Sequence, residues 1–269
     1  MVLLSLLFIH CAMMSFAWLV RFRTGRSGWI DAIWSISVGF SGCVAAWAPF
    51  RFSDLSSRQW VVGMCVLVAF LRLGADLARR TRNSEDDARY LALQKSWGEH
   101  YKSRLFWFLQ IQAVCGFILS LTTFLAARNP AHFGSSNDWI ALFMVATSMA
   151  GETLADRQLR LFKQSHSREQ VCDVGLWGMS RHPNYFFQWL FWVGVAIMAI
   201  NFDGDWSEGF LAIGGPLMMY WLLVHVSGIP PLEKHMMQSR PEAFTAYRQR
   251  VGAFFPVQIR GLTNLFQKQ

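Results

Sequence analysis

The chain contains the stretch Gly175-Leu176-Trp177-Gly178-Met179-Ser180-Arg181-His182-Pro183-Asn184-Tyr185, which runs directly into an apolar segment. The next 17 residues, 186–202, carry no charge. A polar loop that enters a long uncharged segment is typical of the end of a membrane-spanning helix. The junction therefore predicts a place where a charged, water-soluble cofactor meets a lipid-soluble substrate.

Long apolar segments recur along the whole 269-residue chain, of which 53% is hydrophobic. A hydrocarbon core about 30 Å thick needs roughly 20 apolar residues per helix. Seven segments meet that need, at 1–20, 30–49, 59–78, 105–127, 138–157, 184–202 and 208–227. They leave no room for a separate soluble domain. The sequence thus predicts an all-α polytopic membrane bundle of seven transmembrane helices, with one integral membrane domain over residues 1–269.

The positions of the basic residues predict how the bundle is oriented. Of the 25 Lys and Arg residues, 21 fall in one set of alternate loops and three in the other, while Arg72 lies within a span. Because cytoplasmic loops are rich in Lys and Arg, the N-terminus is expected outside and the C-terminus in the cytosol. Topology and anionic headgroups account for the net charge of +8, so membrane lipids, and no nucleic acid, are the expected partners.

Several other kinds of site and segment are not expected. Residues 1–20 lack a basic start and a small-x-small cleavage site, so they are interpreted as a helix and not as a signal peptide. The five cysteines are scattered, which predicts neither a disulfide framework nor a metal site. No Walker-type loop or Gly-rich fingerprint is present, so any dinucleotide must be bound by the helices and their loops.

Two groups of ionisable residues lie at the ends of predicted spans, where such residues are costly and indicate function. The first contains Arg72 and Asp76, which can pair at a spacing of four, followed by Arg79 and Arg80. Its alternative is a set of snorkelling arginines with a local ion pair.

The second group places its members on one helix face, namely Glu152, Asp156 and Arg160. Its alternative is an internal salt-bridge ladder.

The opening stretch forms the third group. His182 is placed to cap the following helix, and Pro183 fits its first turn, where a missing N–H costs nothing. The backbone amides at that helix start, together with Arg181, predict an anion site. We expect Asn184, Tyr185 and Gln188 to face the cavity. The alternative is an ordinary interfacial belt of Arg, Tyr and Trp.

Together, these strings resemble the steroid 5-alpha-reductase-like family of multi-pass membrane proteins, in its largely bacterial branch. The resemblance covers about residues 65–257, and the combination of strings is more specific than any one of them. It rests on Arg79-Arg80 with Glu85-Asp86 and Arg89-Tyr90, on Glu152-Thr153-Leu154-Ala155-Asp156-Arg157-Gln158-Leu159, on Gly175 through Tyr185, on Glu233, and on Tyr247 through Pro256.

The resemblance implies a seven-helix bundle that binds NADPH and reduces a conjugated carbon–carbon double bond in a lipid such as a sterol. It implies that the cofactor pocket is lined by Glu152, Asp156, Arg181, Asn184 and Tyr185. Because Arg matches phosphate oxygens in fork geometry, the candidates for phosphate contacts are Arg79, Arg80, Arg89 and Arg168. The remaining candidates for cofactor binding are Arg160, Trp177, His182, Gln188 and Glu233.

The chain departs from the family pattern where the family usually has Gly-Glu, because Phe187-Gln188 stands there. Gln188 keeps hydrogen bonding but cannot act as an acid or base. The acid-and-tyrosine pair of the characterised reductases lies in their amino-terminal helices, where this chain matches poorly. The candidates for proton donation are Asp31 and Tyr90, and the catalytic residues are otherwise unassigned.

Three functions follow from these observations. The first is an NADPH-dependent reductase of a lipophilic, sterol- or isoprenoid-like enone. The second is an S-adenosylmethionine-dependent methyltransferase of a lipid or isoprenylcysteine, because methyltransferases of that kind also carry an Arg-His-Pro-x-Tyr string and a downstream Glu. The third is a non-catalytic lipid-binding membrane protein. A bacterial inner membrane is the expected location, and no obligate protein partner is expected.

Overall fold

The computed structural model describes residues 1–48, 54–83, 86–167, 169–201 and 206–256. Within these ranges the chain is helical and forms no strand. The first helices are α1 (Val2–Thr24), α2 (Gly28–Trp47), α3 (Ser57–Asn83), α4 (Ala88–Trp97) and α5 (Tyr101–Arg128). The later ones are α6 (Ser136–Ser165), α7 (Pro183–Ala199), α8 (Gly214–Trp221), α9 (Ile229–Ser239) and α10 (Pro241–Arg250). Short 3₁₀ or π segments lie at Gly98–His100, Gly175–Gly178, Ser207–Ile213 and Leu222–Val226.

Five helical segments in the described ranges are long and apolar enough to cross a membrane. They are α1, α2, most of α3, the run Ala88–Arg128 and the run Ser207–Ser239. The chain is therefore an all-helical, multi-pass membrane protein. The other two predicted spans are also helices, but α6 carries charge at both ends and the 17 residues of α7 are only about 26 Å long. The number seven and the orientation of the termini stay predictions.

The chain divides into two compact units. Unit 1 contains Met1–Ala141 and Val193–Pro216, and unit 2 contains Leu142–Trp192 and Leu217–Gln269. In unit 1, α2 packs against α1, α3 and α5. Small residues allow this close packing, since a Cβ on Gly42 would lie 2.6 Å from the Val66 side chain of α3.

A buried histidine ties three helices of unit 1 together. His10 of α1 is fully buried, and its Nδ1 lies 3.0 Å from the Ser37 hydroxyl of α2. Its Nε2 lies 2.9 Å from the Ser120 hydroxyl of α5. Both ring nitrogens therefore have partners in a region where lipid offers none, which explains why a polar side chain is tolerated there.

A second buried polar contact in unit 1 joins the start of α3 to the start of α6. The guanidinium of Arg58 donates to both carboxylate oxygens of Asp138, at 2.6 and 3.0 Å. It also donates to the backbone carbonyls of Ala131 and Met198. The two charged side chains are only 3% and 2% exposed, so each neutralises a charge that water cannot reach.

In unit 2, the last two described helices form a small core of their own. Phe244, Tyr247 and Val251 are buried and pack against Val171 and two methionines of α9. Phe244 and Tyr247 lie one turn apart on α10, and Val251 directly follows the helix in an extended conformation. All three contact protein side chains.

We expect Arg58→Met to lower the free energy of unfolding by about 3–5 kcal/mol, because it leaves the Asp138 carboxylate buried and uncompensated. The exposed Arg104 of α5 provides a control, since Arg104→Met is expected to change that free energy by less than about 0.5 kcal/mol. Denaturant unfolding of the detergent-purified proteins measures both. Similar losses in the two variants would contradict the assignment.

Candidate functional site

Unit 1 brings together the two residues predicted as proton donors. The hydroxyl of Tyr90, on α4, donates to Oδ1 of Asp31, on α2, at 3.0 Å. The other oxygen of Asp31 accepts a hydrogen bond from Arg89. We refer to Asp31, Asp87, Arg89 and Tyr90 as the Asp31 cluster. Tyr90 is 3% exposed, so its hydroxyl is held in a buried site beside an ion pair.

The start of α4 places Arg89 and Tyr90 in this cluster. Asp87 caps the helix by accepting from the backbone N–H of Arg89 at 2.9 Å, and it also accepts from the Arg89 guanidinium. Burial alone would raise the pKa of Asp87, but the hydrogen bonds and charge of Arg89 outweigh it and lower that pKa. Arg89 therefore bridges two carboxylates, Asp31 and Asp87. This occupies the guanidinium that was predicted to bind a cofactor phosphate.

The neighbouring Asp86 fixes the same loop to the start of α2. It accepts from the Ser27 backbone N–H at 2.6 Å and from the Ser27 hydroxyl. Arg21 of α1 lies 3.5 Å from its other oxygen. Asp86 is thus attached to the start of α2 through Ser27 and to the end of α1 through Arg21, next to the Asp31 cluster.

Unit 2 contains a second cluster at the start of α7. Oε1 of Glu233, on α9, accepts from Nε and Nη2 of Arg181, both at 2.8 Å. The same oxygen lies 3.1 Å from Nε2 of His182. We refer to Arg181, His182 and Glu233 as the Arg181 cluster. His182 does precede the helix as predicted, but its ring contacts Glu233, while its backbone carbonyl accepts the first helical N–H groups.

Arg181 also holds the chain after α10. Its backbone N–H donates to the carbonyl of Gly252 at 2.8 Å, and Nη1 donates to the carbonyl of Val251 at 2.5 Å. The side chain is 9% exposed. Arg181, which was predicted to form an anion site with the first amides of the helix, is therefore occupied by the protein's own carbonyl and carboxylate groups.

His182 connects this cluster to the first turn of α7. Its ring stacks on that of Tyr185, with centroids 5.5 Å apart and planes 12° from parallel. Burial lowers the pKa of His182 and outweighs Glu233, which raises it, while Arg181 lowers it further. The imidazole is therefore neutral at neutral pH and donates one hydrogen bond to the Glu233 carboxylate.

Polar residues also face each other between α6 and α7. Asn184 donates to Oδ1 of Asp156 at 3.5 Å, and its own Oδ1 is buried without a hydrogen-bond partner in the described part of the chain. The two helices run antiparallel here. Glu152, one turn before Asp156, and Gln188, one turn after Asn184, are therefore at the same level. Glu152 is 8% exposed and Gln188 is half-buried.

The structure explains the bulky residue at position 187. A Cβ on Gly151 of α6 would lie 2.4 Å from ring carbons of Phe187, so the ring fills the space above a residue that has no side chain. The contact between Gly151 and Phe187 fits the same antiparallel register of α6 and α7 as the hydrogen bond between Asp156 and Asn184. Trp177 contacts α6 as well, since its indole N–H donates to the carbonyl of Ala155 at 2.9 Å.

The other predicted residues lie at the surface or outside the described residues. Arg79 is 75% exposed and pairs with Asp76, which also lies 3.8 Å from Arg72. Arg80 and Arg160 are exposed. Arg168 lies outside the described residues.

Sequence reasoning missed two residues of these sites. Asp87 was not singled out, and Tyr247 was quoted only as the start of the closing string of the resemblance, Tyr247 through Pro256. Tyr247 is 2% exposed, and its hydroxyl donates to the carbonyl of Trp177 at 2.6 Å. Burial raises the pKa of Tyr247, so the hydroxyl stays a donor. The available signal was the residue type, because a buried Tyr usually needs a hydrogen-bond partner that Phe does not.

The helices and polar clusters define a multi-pass membrane protein with buried, hydrogen-bonded ionisable groups. The chain belongs to the family described as "Protein of unknown function (DUF1295)", whose model matches residues 17–251. No curated protein and no solved structure matches the chain.

The buried His182 predicts a dependence of stability on pH. The unfolded chain has an ordinary histidine pKa and binds the proton first on acidification, so this contribution to stability is complete above that pKa and is lost below it. We expect wild-type protein to lose more free energy of unfolding than His182→Gln between about pH 7 and pH 5. Denaturant unfolding at each pH measures the difference, and equal losses would contradict it.

Proposed function

We propose that this protein is an NADPH-dependent membrane reductase of a conjugated double bond in a lipophilic, sterol- or isoprenoid-like substrate. The observation that carries the proposal is the contact between Tyr90 and Asp31. Membership of the DUF1295 family, together with the resemblance to steroid 5-alpha-reductase-like proteins, supplies the class of reaction.

Reduction of an enone needs a hydride for one carbon and a proton for the other. A buried tyrosine is a suitable proton source, because a phenol stays protonated at neutral pH and is close to a substrate that enters from lipid. In the ligand-free protein the Tyr90 hydroxyl is held by Asp31. When a substrate carbon takes that proton in place of Asp31, the guanidinium of Arg89, 5.7 Å from the ring centre, would stabilise the tyrosinate that is left. Methyl transfer from a sulfonium needs no such acid, so the pair favours the reductase over the methyltransferase.

The contacts between α6 and α7 fit a nucleotide-type cofactor. The buried Oδ1 of Asn184 has no donor in the described part of the chain, and a hydroxyl or carboxamide N–H of a cofactor would supply one. The carboxylates of Glu152 and Asp156 are acceptors for ribose hydroxyls. NADPH, when bound, supplies the hydride. Within unit 2, the exposed Arg160 on the same helix as Asp156 is the better phosphate contact, since Arg181 is engaged internally.

The number of membrane spans and the orientation of the termini are part of the same proposal. We place seven spans in the membrane by counting α6 and α7, with the N-terminus outside and the C-terminus in the cytosol. The membrane is the bacterial inner membrane. This arrangement gives the start of α7 access to cytosolic NADPH.

The first test is thermal stabilisation of the detergent-purified protein by NADPH, NADH and S-adenosylmethionine in parallel. We expect NADPH to stabilise the fold, by about 2.7 kcal/mol at a hundredfold excess over its Kd. Asn184→Ala and Asp156→Ala should weaken this effect, while Gln188→Glu should retain it. Stabilisation by S-adenosylmethionine alone would favour the methyltransferase, and no response would favour a non-catalytic lipid-binding protein.

The second test concerns the proton donor. We expect Tyr90→Phe to lower the turnover of NADPH with a panel of lipophilic enones by about 10²-fold or more, with unchanged NADPH affinity. Tyr101→Phe is the matched control, because Tyr101 is another buried tyrosine of the same core and its hydroxyl has no partner in the described residues. Loss of absorbance at the NADPH band and mass spectrometry of the product measure turnover. Wild-type turnover in Tyr90→Phe would contradict the assignment.

A further inference from the structure

The start of α7 is held in place by groups from the C-terminal part of unit 2. Glu233, on α9, offers one carboxylate oxygen to three donors, two on Arg181 and one on His182. These two residues directly precede the helix that carries Asn184. The orientation of the first turn of α7 therefore depends on a side chain about fifty residues later in the chain.

A second attachment comes from α10. The Tyr247 hydroxyl donates to the carbonyl of Trp177 at 2.6 Å, four residues before Arg181. Trp177 in turn donates to the carbonyl of Ala155 on α6, one residue before Asp156. Tyr247 thus fixes the loop that lies against the helix carrying Asp156.

The segment that follows α10 adds backbone contacts to the same loop. Ser180 donates through its hydroxyl to the carbonyl of Phe254 at 2.8 Å, and Arg181 donates to Val251 and Gly252. Phe254 is 5% exposed and packs edge-on against Phe186 of α7. The attachment is therefore both polar and apolar.

The His182 ring, which is held by Glu233, stacks on Tyr185 in the first turn of α7. The contacts of the loop therefore also affect the start of this helix. A shift of the His182 ring changes the surface on which Tyr185 rests. Asn184 lies between the two, and its geometry toward Asp156 is already at the limit of a hydrogen bond, at 3.5 Å. Small displacements of the loop are therefore sufficient to open this contact.

We propose that Glu233 and Tyr247 are positioning residues, which set the geometry of Asn184 and Tyr185 without touching a ligand themselves. The inference rests on the proposed function only in assigning Asn184 and Tyr185 to a cofactor site. It changes the role that the sequence suggested for Glu233, from a cofactor contact to a group that acts through Arg181 and His182.

Hydrogen exchange of the ligand-free protein tests the positioning directly. In Tyr247→Phe and Glu233→Gln, the amides of residues 177–187 should exchange faster, while the amides of α6 and α9 keep wild-type rates. Arg250→Gln is the matched control, because it removes an exposed ion pair from α10 to Asp173, which lies before residues 177–187, and leaves the contacts of Glu233 and Tyr247 in place. Tyr247→Phe removes a single hydroxyl and keeps the test valid if Glu233→Gln does not fold.

Affinity for NADPH provides the second readout. In metal sites, loss of a group that orients a ligand-binding side chain costs about 10- to 100-fold in affinity, and we expect about tenfold here for both variants. Both variants should lose more Tm than Arg250→Gln, because they leave buried partners without their hydrogen bonds, so the positioning role is judged by where exchange rises. Unchanged exchange at 177–187, or faster exchange throughout the chain, overturns the positioning role. If the wild-type protein does not bind NADPH, the proposed function is refuted but the positioning role is not, because the exchange measurement is made without ligand.

Discussion

The hydrocarbon of a membrane offers no hydrogen bonds, so each buried polar group here must find its partner within the protein. Arg58 is neutralised by Asp138, His10 bridges two serines, and Arg181 is shared between Glu233 and backbone carbonyls. Each of these contacts joins segments that are at least 27 residues apart in the sequence. Satisfying the polar groups and packing the helices are therefore the same structural problem.

The same constraint separates groups that maintain the fold from groups that are available for chemistry. Arg58 is buried, and four hydrogen bonds from its two terminal nitrogens to Asp138, Ala131 and Met198 hold it in the fold. Tyr90 is also buried, but its partner Asp31 is a quarter exposed and lies at the start of a helix, where polar groups gather. Asn184 keeps an unsatisfied carbonyl oxygen. An unsatisfied buried oxygen calls for an explanation, and the proposed cofactor contact supplies one for Asn184.

The dense polar motif at 175–185 has two roles that its composition does not separate. Arg181 and His182 face Glu233 and the chain after α10, while Asn184 faces Asp156. Adjacent residues can divide in this way because the chain turns into a helix at Pro183, so that successive side chains point in different directions. The motif is a junction whose first residues are anchored by the C-terminal part of unit 2, and under the proposed function its later residues would face the cofactor.

The sequence by itself determined the class of the fold, the approximate positions of the helices and most of the residues in the polar clusters. These are local properties, because apolar length and the spacing of charges along a helix can be recognised without knowing its neighbours. Only the tertiary structure decided which polar groups meet. Asp31 and Tyr90 are 59 residues apart, and Tyr247 and Trp177 are 70 residues apart. Such contacts depend on the register in which helices pack. If one helix were shifted along its axis by a single turn, each donor would meet a different acceptor.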